Sequence, residues 1–206
     1  MISPFTPKQL EQVKGFLDEV EAEALYHIAG KASLSGPCLE IGSYCGKSTV
    51  AIGKACKENQ SILFAVDHHR GSEEQQPGEE YFDPDLFDCQ TFQVDTFNAF
   101  RQTITHADLE QTVVPLVCRS EVAAKAWQTK LSMVFVDGGH AFETVHMDYQ
   151  LWSGHILSGG YLLFHDIFKN PDEGGQAPYQ VYQLAMSSGD FEAEPMIKTL
   201  GVLRRK

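Results

Sequence analysis

The chain has 206 residues, enough for one large domain with a sizeable core. Apolar residues at 43 % and charged residues at 21 % fit a soluble globular protein and exclude a disordered chain. A formal net charge of −12 leaves no broad basic surface for phosphate backbones, so no nucleic-acid partner is expected.

The only basic run is Arg204-Arg205-Lys206. No apolar stretch reaches bilayer length, so no membrane span is expected. Met1 to Leu10 lacks a basic region followed by an apolar run, so no signal peptide is expected either. Cys38, Cys45, Cys56, Cys89 and Cys118 are odd in number, scattered and free of any CxxC pair. They read as reduced thiols of a cytoplasmic protein, with Cys45 and Cys118 as packing residues.

Thr6-Pro7-Lys8-Gln9 reads as a helix start, with Thr6 as cap, Pro7 at the first helical position and Gln9 closing a capping box. Leu10, Val13, Leu17 and Val20 follow at helical spacing, so residues 1–33 are expected to be helical with a break near Gly15. Strands and helices then alternate. Cys38 to Ile41 is a short strand and Gly46 to Lys57 a helix. Ile62 to Val66 is a strand ending at Asp67. A helix over 96–107, a strand from Val113 to Cys118 and a helix from Glu121 to Trp127 follow. Leu131 to Val136 is a strand ending at Asp137, and Phe142, Val145, Tyr149, Trp152 and Ile156 line one face of a helix. Tyr161 to Phe164 is a strand ending at His165-Asp166, Pro178 to Ser187 a helix, and 190–204 two closing strands. Nearly all-apolar strands in this order imply a single α/β domain over 1–206 whose mostly parallel sheet is covered on both faces. His68 to Phe92, rich in Gly, Pro, Glu and Asp, is too long for an ordinary connection and reads as a functional loop.

Between the first strand and its helix lies Glu40-Ile41-Gly42-Ser43-Tyr44-Cys45-Gly46-Lys47-Ser48-Thr49. A phosphate-binding P-loop needs four residues between its glycines, and here there are three. A dinucleotide turn needs a glycine where Tyr44 stands. What remains is acid-x-Gly-x-x-x-Gly at a strand-to-helix turn, which suits a ligand without phosphate. S-adenosylmethionine (SAM) is such a ligand. Gly42 and Gly46 let its amino-acid part lie against backbone, and Glu40 can orient its ammonium, directly or through water. Asp67, at the end of the next strand, can accept hydrogen bonds from ribose hydroxyls. The plainer reading is a tight turn whose glycines serve packing, with Asp67 as a loop cap.

Leu39 to Ser48 is similar to motif I of the catechol-type small-molecule O-methyltransferases. Arg119-Ser120-Glu121, Val134-Phe135-Val136-Asp137-Gly138-Gly139-His140, and Gly159-Gly160 leading to His165-Asp166 continue the resemblance. The last two stretches are closer still to macrocin-type sugar O-methyltransferases, and the likeness runs from about residue 35 to 200. It implies a class I methyltransferase: a doubly wound, Rossmann-like sheet of seven strands, mostly parallel with an antiparallel closing strand and helices on both faces. It implies that Glu40, Gly42, Tyr44, Gly46 and Ser48 surround the methionine part of SAM and that Asp67 binds the ribose. His68, Ser120 and Glu121 then border the adenine, and Asp137 lies beside the transferring methyl. In metal-dependent members Asp137 and Asp166 hold a divalent cation, and His140 falls at the family's basic residue. Ile167 departs from the pattern, standing where those members have Asn or Asp.

In that topology the strands ending at Asp137 and Asp166 are neighbours, about 4.8 Å apart. Their carboxylates plus waters would suit a hard cation such as Mg²⁺, which would lower the pKa of a substrate hydroxyl. Asp137 as a helix cap and Asp166 as a turn cap is the alternative. A neutral His140 imidazole could take the proton from an attacking hydroxyl. The function expected is methyl transfer from SAM to a small-molecule acceptor, at oxygen. The rivals are a P-loop-like NTPase and a non-catalytic SAM- or nucleoside-binding module. The 68–92 loop is expected to cover the active-site mouth or reach a second subunit in a homodimer, with Arg70 pairing to one of its acids, Glu73, Glu74, Glu79 or Glu80.

Overall fold

The computed structural model describes residues 5–206; residues 1–4, the start of the expected 1–33 segment, lie outside it. In chain order the elements are α1 (Glu19–Ala32), β1 (Cys38–Ile41), α2 (Lys47–Glu58) and β2 (Leu63–Val66). A small hairpin, β3 (Phe87–Asp88) with β4 (Gln93–Val94), precedes α3 (Phe97–His106) and β5 (Val113–Leu116). Then come α4 (Ser120–Ala124), β6 (Leu131–Val136), α5 (Phe142–Trp152), β7 (Ile156–Phe164), α6 (Ala177–Ser187), β8 (Phe191–Ala193) and β9 (Gly201–Arg205).

Seven strands form one sheet in the order β5-β2-β1-β6-β7-β9-β8. Pairs among β5, β2, β1, β6 and β7 are parallel, and β9 runs antiparallel to both its neighbours. The expected doubly wound architecture with its antiparallel closing strand is therefore present. The strand ending at Phe164 begins at Ile156, earlier than periodicity suggested. Gly159 at φ +79° sits in an irregularity of its pairing with β6, and the Ser158-Gly159 pair had hidden the strand's first half.

Alternation along the strands divides the core. Cys38, Leu63, Ala65, Met133, Phe135 and Leu163 point to the face covered by α1, α2 and α3, where Leu25, Ile52 and Phe100 meet them. Leu39, Ile41, Val134, Val136, Leu162 and Phe164 point to the opposite face, under Trp152, Val181 and Tyr182 of α5 and α6. The inner strands β1 and β6, buried at every position, need this two-sided apolar sequence, whereas β5 at the sheet edge leaves Val114 and Pro115 exposed.

The N-terminal segment differs from the expected broken helix. Pro7–Leu10 is a single 3-10 turn, and Thr6 and Gln9 form the anticipated capping box. The helix proper starts only at Glu19, where the Asp18 carboxylate caps by accepting from the Val20 N–H at 2.8 Å. Val20, assigned to the apolar stripe, is 51 % exposed, and the buried face is Glu21, Ala22, Leu25, Ala29 and Ala32. A local cap thus overrode the period seen in Leu10 to Val20.

The register is level at the C-terminal edge. Ile41 pairs with Val66 and with Val136, Val66 with Leu116, and Val136 with Phe164. The residues that follow, Gly42, Asp67, Asp137 and His165, therefore stand in one row across neighbouring strands. Gly42 has φ +84°, and a Cβ on it would lie 2.2 Å from the Asp137 carbonyl oxygen. Gly42→Ala is expected to cost about 2–4 kcal/mol, from the left-handed backbone and the overpacking together. Urea unfolding of the variant checks this, and a loss below about 0.5 kcal/mol would contradict the close approach.

Candidate active site

The turn after β1 is built by left-handed backbone at Gly42, Tyr44 (φ +45°) and Gly46 (φ +93°). Tyr44 is the strained member, since side chains other than Gly, Asn and Asp seldom adopt that region. Asp67 holds the turn in place. Its Oδ2 accepts from the backbone N–H groups of Ser43 and Tyr44 at 2.9 and 2.8 Å, and its Oδ1 from that of His69 at 2.7 Å. Oδ2 is thereby filled, while Oδ1 keeps capacity for a further donor. The acid expected to receive a ribose is therefore also the brace of the glycine turn.

Glu40 is placed differently from the expectation. Alternation turns it to the same face as Cys38, beneath α2, and it is fully buried. Ser48 Oγ donates to its Oε1 at 2.6 Å, while Ser43 Oγ and Thr49 Oγ1 donate to its Oε2 at 2.9 and 2.5 Å. Burial pushes its carboxyl up to about 7, against those three hydroxyls and with Asp137 adding to the rise. Glu40 and Ser48 thus fasten the turn from below. Their polar atoms are hydrogen-bonded to each other beneath Gly42, Tyr44 and Gly46.

Beyond β6 and β7 lies a chain of acids and imidazoles. Asp166, at φ +55°, accepts from His140 Nε2 at 2.9 Å, and Glu74 accepts from His140 Nδ1 at 2.9 Å. His165 is buried; its Nδ1 lies 3.4 Å from both Asp137 Oδ1 and Asp166 Oδ2, and its Nε2 3.1 Å from Glu21 Oε2. The other oxygen of Glu21 accepts from the Thr199 N–H and hydroxyl at 2.8 and 2.7 Å. Asp166 raises the His140 pKa to about 9, and Glu74 adds to that rise, against the effect of burial. Burial also opposes a charge on His165, yet Asp137, Asp166 and Glu21 hold its pKa far above the usual histidine value. Asp166 stays well below the carboxylate range, because the two imidazoles outweigh its burial. Burial pushes Asp137 up, with His165 opposing.

This corrects the view of His140 as a neutral base. Between two carboxylates it is an imidazolium at neutral pH, already carrying the proton it was expected to accept.

Asp137, His140 and Asp166 each offer a ligand atom, all within 4.8 Å of one another. Two carboxylates and one imidazole fit a divalent cation. The third donor is His140, whereas Ile167, at the position where metal-dependent relatives carry an oxygen, is buried in the core beside Val181 and Tyr182. The two aspartates thus converge, as the strand order required.

The remaining assigned residues line the β5 and β2 end of the row. His68 is exposed beyond β2, and its Nδ1 accepts from the Arg70 N–H at 3.0 Å. Ser120 and Glu121 open α4, and Ser120 Oγ accepts from Trp152 Nε1 at 2.8 Å. Arg70 does not pair with the loop's acids; its partner is Asp95 at 3.0 Å. The loop is tied instead through Glu74 to His140 and through Asp83 and Asp85 to Lys14, at 2.6 and 2.9 Å.

Glu21 and Glu74 escaped the sequence reading. For Glu21 a signal existed: an acid on the same helical face as Leu17 and Leu25 has to find a buried partner. Glu74 had none, being one acid among several in an acidic loop.

Residues 39–167 match the family model described as a methyltransferase domain, and the chain belongs to that family. Among solved structures the fold is shared with the O-methyltransferase NovP (14 % identity, TM-score 0.69), over 90 % of this chain and 79 % of that one. It is also shared with the O-methyltransferase TomG from Streptomyces achromogenes, solved with SAM (13 % identity, TM-score 0.64, 93 % and 82 % covered). A third is an O-methyltransferase from Bacillus cereus in complex with SAH, S-adenosylhomocysteine (12 % identity, TM-score 0.64, 97 % and 86 % covered). Family membership removes the P-loop NTPase reading, in agreement with the spacing of Gly42 and Gly46. Among the described residues no helix is long and apolar enough to cross a membrane.

The buried Glu40 gives a pH dependence with a definite sign. Its folded pKa, about 7, lies above its ordinary value of 4.5, so the folded state holds the proton more tightly. Its contribution to stability is therefore full below pH 4.5 and is lost as pH rises through 7, by up to about 3 kcal/mol. Glu40→Gln should thus gain stability relative to the wild type between pH 5 and pH 8. Urea unfolding at both pH values measures that difference, and a constant difference would show that Glu40 is ionised throughout.

Proposed function

We propose that the protein transfers a methyl group from SAM to an oxygen of a small-molecule acceptor. The observation that carries this reading is the level row of strand ends, with the glycine turn and Asp67 beside an acid–imidazole cluster at Asp137 and Asp166, in a chain of the methyltransferase family. The methionine part lies along Gly42, Tyr44 and Gly46, and the ribose at Asp67. The adenine lies toward His68, Ser120 and Glu121. The sulfonium methyl faces Asp137. Four carboxylates (Glu21, Glu74, Asp137, Asp166) against two imidazoliums (His140, His165) leave the cluster negative, which favours a cationic cofactor.

Methyl transfer needs alignment and an exposed lone pair on the acceptor, and little else from the protein. The acceptor hydroxyl sits between the methyl carbon and Asp137. The positive charge of the His140 imidazolium, held by Glu74 and Asp166, stabilises negative charge developing on the oxygen, and the hydroxyl proton passes to the Asp137 carboxylate. Asp137 and Asp166, joined by His140 once its imidazolium has given up a proton, are the residues that would hold a divalent cation, Mg²⁺ or another, whose chemistry when bound would be to acidify the hydroxyl. Beside Asp166 a cleft of about 490 Å³, lined by Ile167, Phe168, Lys169, Glu173 and Met196, takes the body of the acceptor.

The net charge of −12 argues for a small acceptor over a nucleic acid, and the free thiols for the cytoplasm. We read residues 1–206 as one domain, and a homodimer as one way for the loop over 68–92 to be completed. Calorimetry with SAH tests the cofactor. Wild type binds, and Asp67→Ala binds at least about 10-fold more weakly, having lost the ribose acceptor and the brace of the turn; tight ATP binding with no SAH binding would sink the reading.

The loop supplies a separate test. Replacing residues 72–88 by a short Gly-Ser link removes Glu74, Asp83 and Asp85. SAH affinity should change by less than about 3-fold, while turnover of the acceptor is lost. Unchanged turnover would mean that the loop only decorates the surface.

A further inference from the structure

The pair Gly159-Gly160 lies in the first half of β7, at the edge of the sheet opposite the active site. Between the pairing of Leu131 with Ile156 and that of Met133 with Tyr161, β7 runs through more residues than β6, so Leu157 to Gly160 bulge out of the ladder. Both glycines are needed there. Gly159 stands at φ +79°, and a Cβ on Gly160 would lie 2.7 Å from the Ser132 carbonyl oxygen. A cavity of about 330 Å³ opens against this bulge. Its other walls are Lys31 in the last turn of α1, Ser35 just beyond that helix, and Arg204 of β9.

No acidic side chain lines the cavity, in a chain with 28 acids against 16 Lys and Arg. Its charges are Lys31 and Arg204. Among the described residues neither forms an ion pair, although Glu192 stands opposite Arg204 in the register of β8 and β9. Arg204 Nε makes one long contact, 3.4 Å, to the Gly159 carbonyl. Tyr161 pairs with Arg204 across β7 and β9, so both side chains share the face covered by α1. Tyr161 is only 9 % exposed, and its hydroxyl has no hydrogen-bond partner among the described residues. That hydroxyl is not sealed in either, since Asp148 Oδ1 is the single fully buried, unpartnered side-chain polar atom among them. It therefore opens at the cavity that Tyr161 lines. A nearly buried hydroxyl beside two unpaired cations makes a donor set for an anion.

We propose that this cavity binds the phosphate group of a small molecule, held by the Arg204 guanidinium and the Lys31 ammonium, with the Tyr161 hydroxyl donating from the wall. A guanidinium fork and an ammonium together match a tetrahedral anion of nearly two charges, and the hydroxyls of Ser35 and Ser158 stand by for its remaining oxygens. A carboxylate, planar and singly charged, would use fewer of these donors. The site goes beyond the methyl-transfer reading and does not depend on it, because β7 separates it from His165 and Asp166, which follow that strand's other end.

Titration with inorganic phosphate at constant ionic strength, followed by calorimetry with and without SAH, tests the assignment. Wild type should bind saturably with a Kd of about 1 mM or tighter, unchanged by SAH. Acetate should bind at least about 10-fold more weakly. Arg204→Gln should weaken phosphate about 10-fold or more by removing one cation. Tyr161→Phe keeps the packing of the ring and should weaken it about 3- to 10-fold, a loss that a loose cluster of surface charge would not show. Both variants should bind SAH as wild type does, with near-ultraviolet circular dichroism confirming their fold. A response that never saturates, or wild-type phosphate affinity in both variants, overturns the assignment. Loss of phosphate binding on adding SAH would place the anion at the glycine turn and overturn it as well.

Discussion

The Gly42 turn and the Asp137 backbone pass so close that no side chain fits between them. This contact brings the ends of β1 and β6 to one level and sets the distance between the glycine turn and the acidic cluster. It also needs the parallel register of β2, β1, β6 and β7 to end evenly, which the pairing of Ile41 with Val66 and Val136 provides. A sheet with staggered ends would place the same residues on different levels, and no single ligand could touch them. Chemistry at the C-terminal edge of an open α/β sheet depends on that alignment.

Alternation along the strands then decides what each acid does. Glu40, Asp67, Asp137 and His165 share the parity of Cys38, Ala65, Phe135 and Leu163, so all four turn toward α1 and α2. One register deeper, Glu40 is sealed beneath α2 and serves the turn. At the edge, Asp67 and Asp137 remain partly accessible and can meet a ligand. His165 is at the edge as well, but α1 covers it and supplies Glu21 as its partner. The N-terminal helix is therefore part of the site's support, through a carboxylate that also anchors the Thr199 turn before β9.

Charge balance explains the histidines. Four acids around a buried edge repel one another, and two imidazoles hold them together by carrying protons. The loop from 68 to 92 joins this balance through Glu74, and its hold on Lys14 draws the segment before α1 over the turn. Phe16, from that segment, packs edge-on against Tyr81 of the loop and near Tyr44 of the turn, with ring centroids 5.1 and 6.2 Å away. Cover, turn and acidic cluster are thus connected pieces of one arrangement.

Local chemistry already determined the strands Cys38–Ile41 and Leu131–Val136, the glycine turn, the acids closing each strand and the parallel sheet they imply. These follow from apolar runs, glycine spacing and polarity breaks, which act over a few residues. The convergence of Asp137 with Asp166 was legible too, because strand order follows from the alternating pattern. The α1 boundary was not, since a single Asp18 cap competes with a weak apolar period and tertiary burial settles the contest. Nor could the chain by itself say that Glu40 is hydrogen-bonded by three hydroxyls, that His140 is charged, or that Glu21 and Glu74 join the acidic cluster. Those facts depend on which distant groups come within 3 Å and on how much water is excluded there, and only the packed structure sets both.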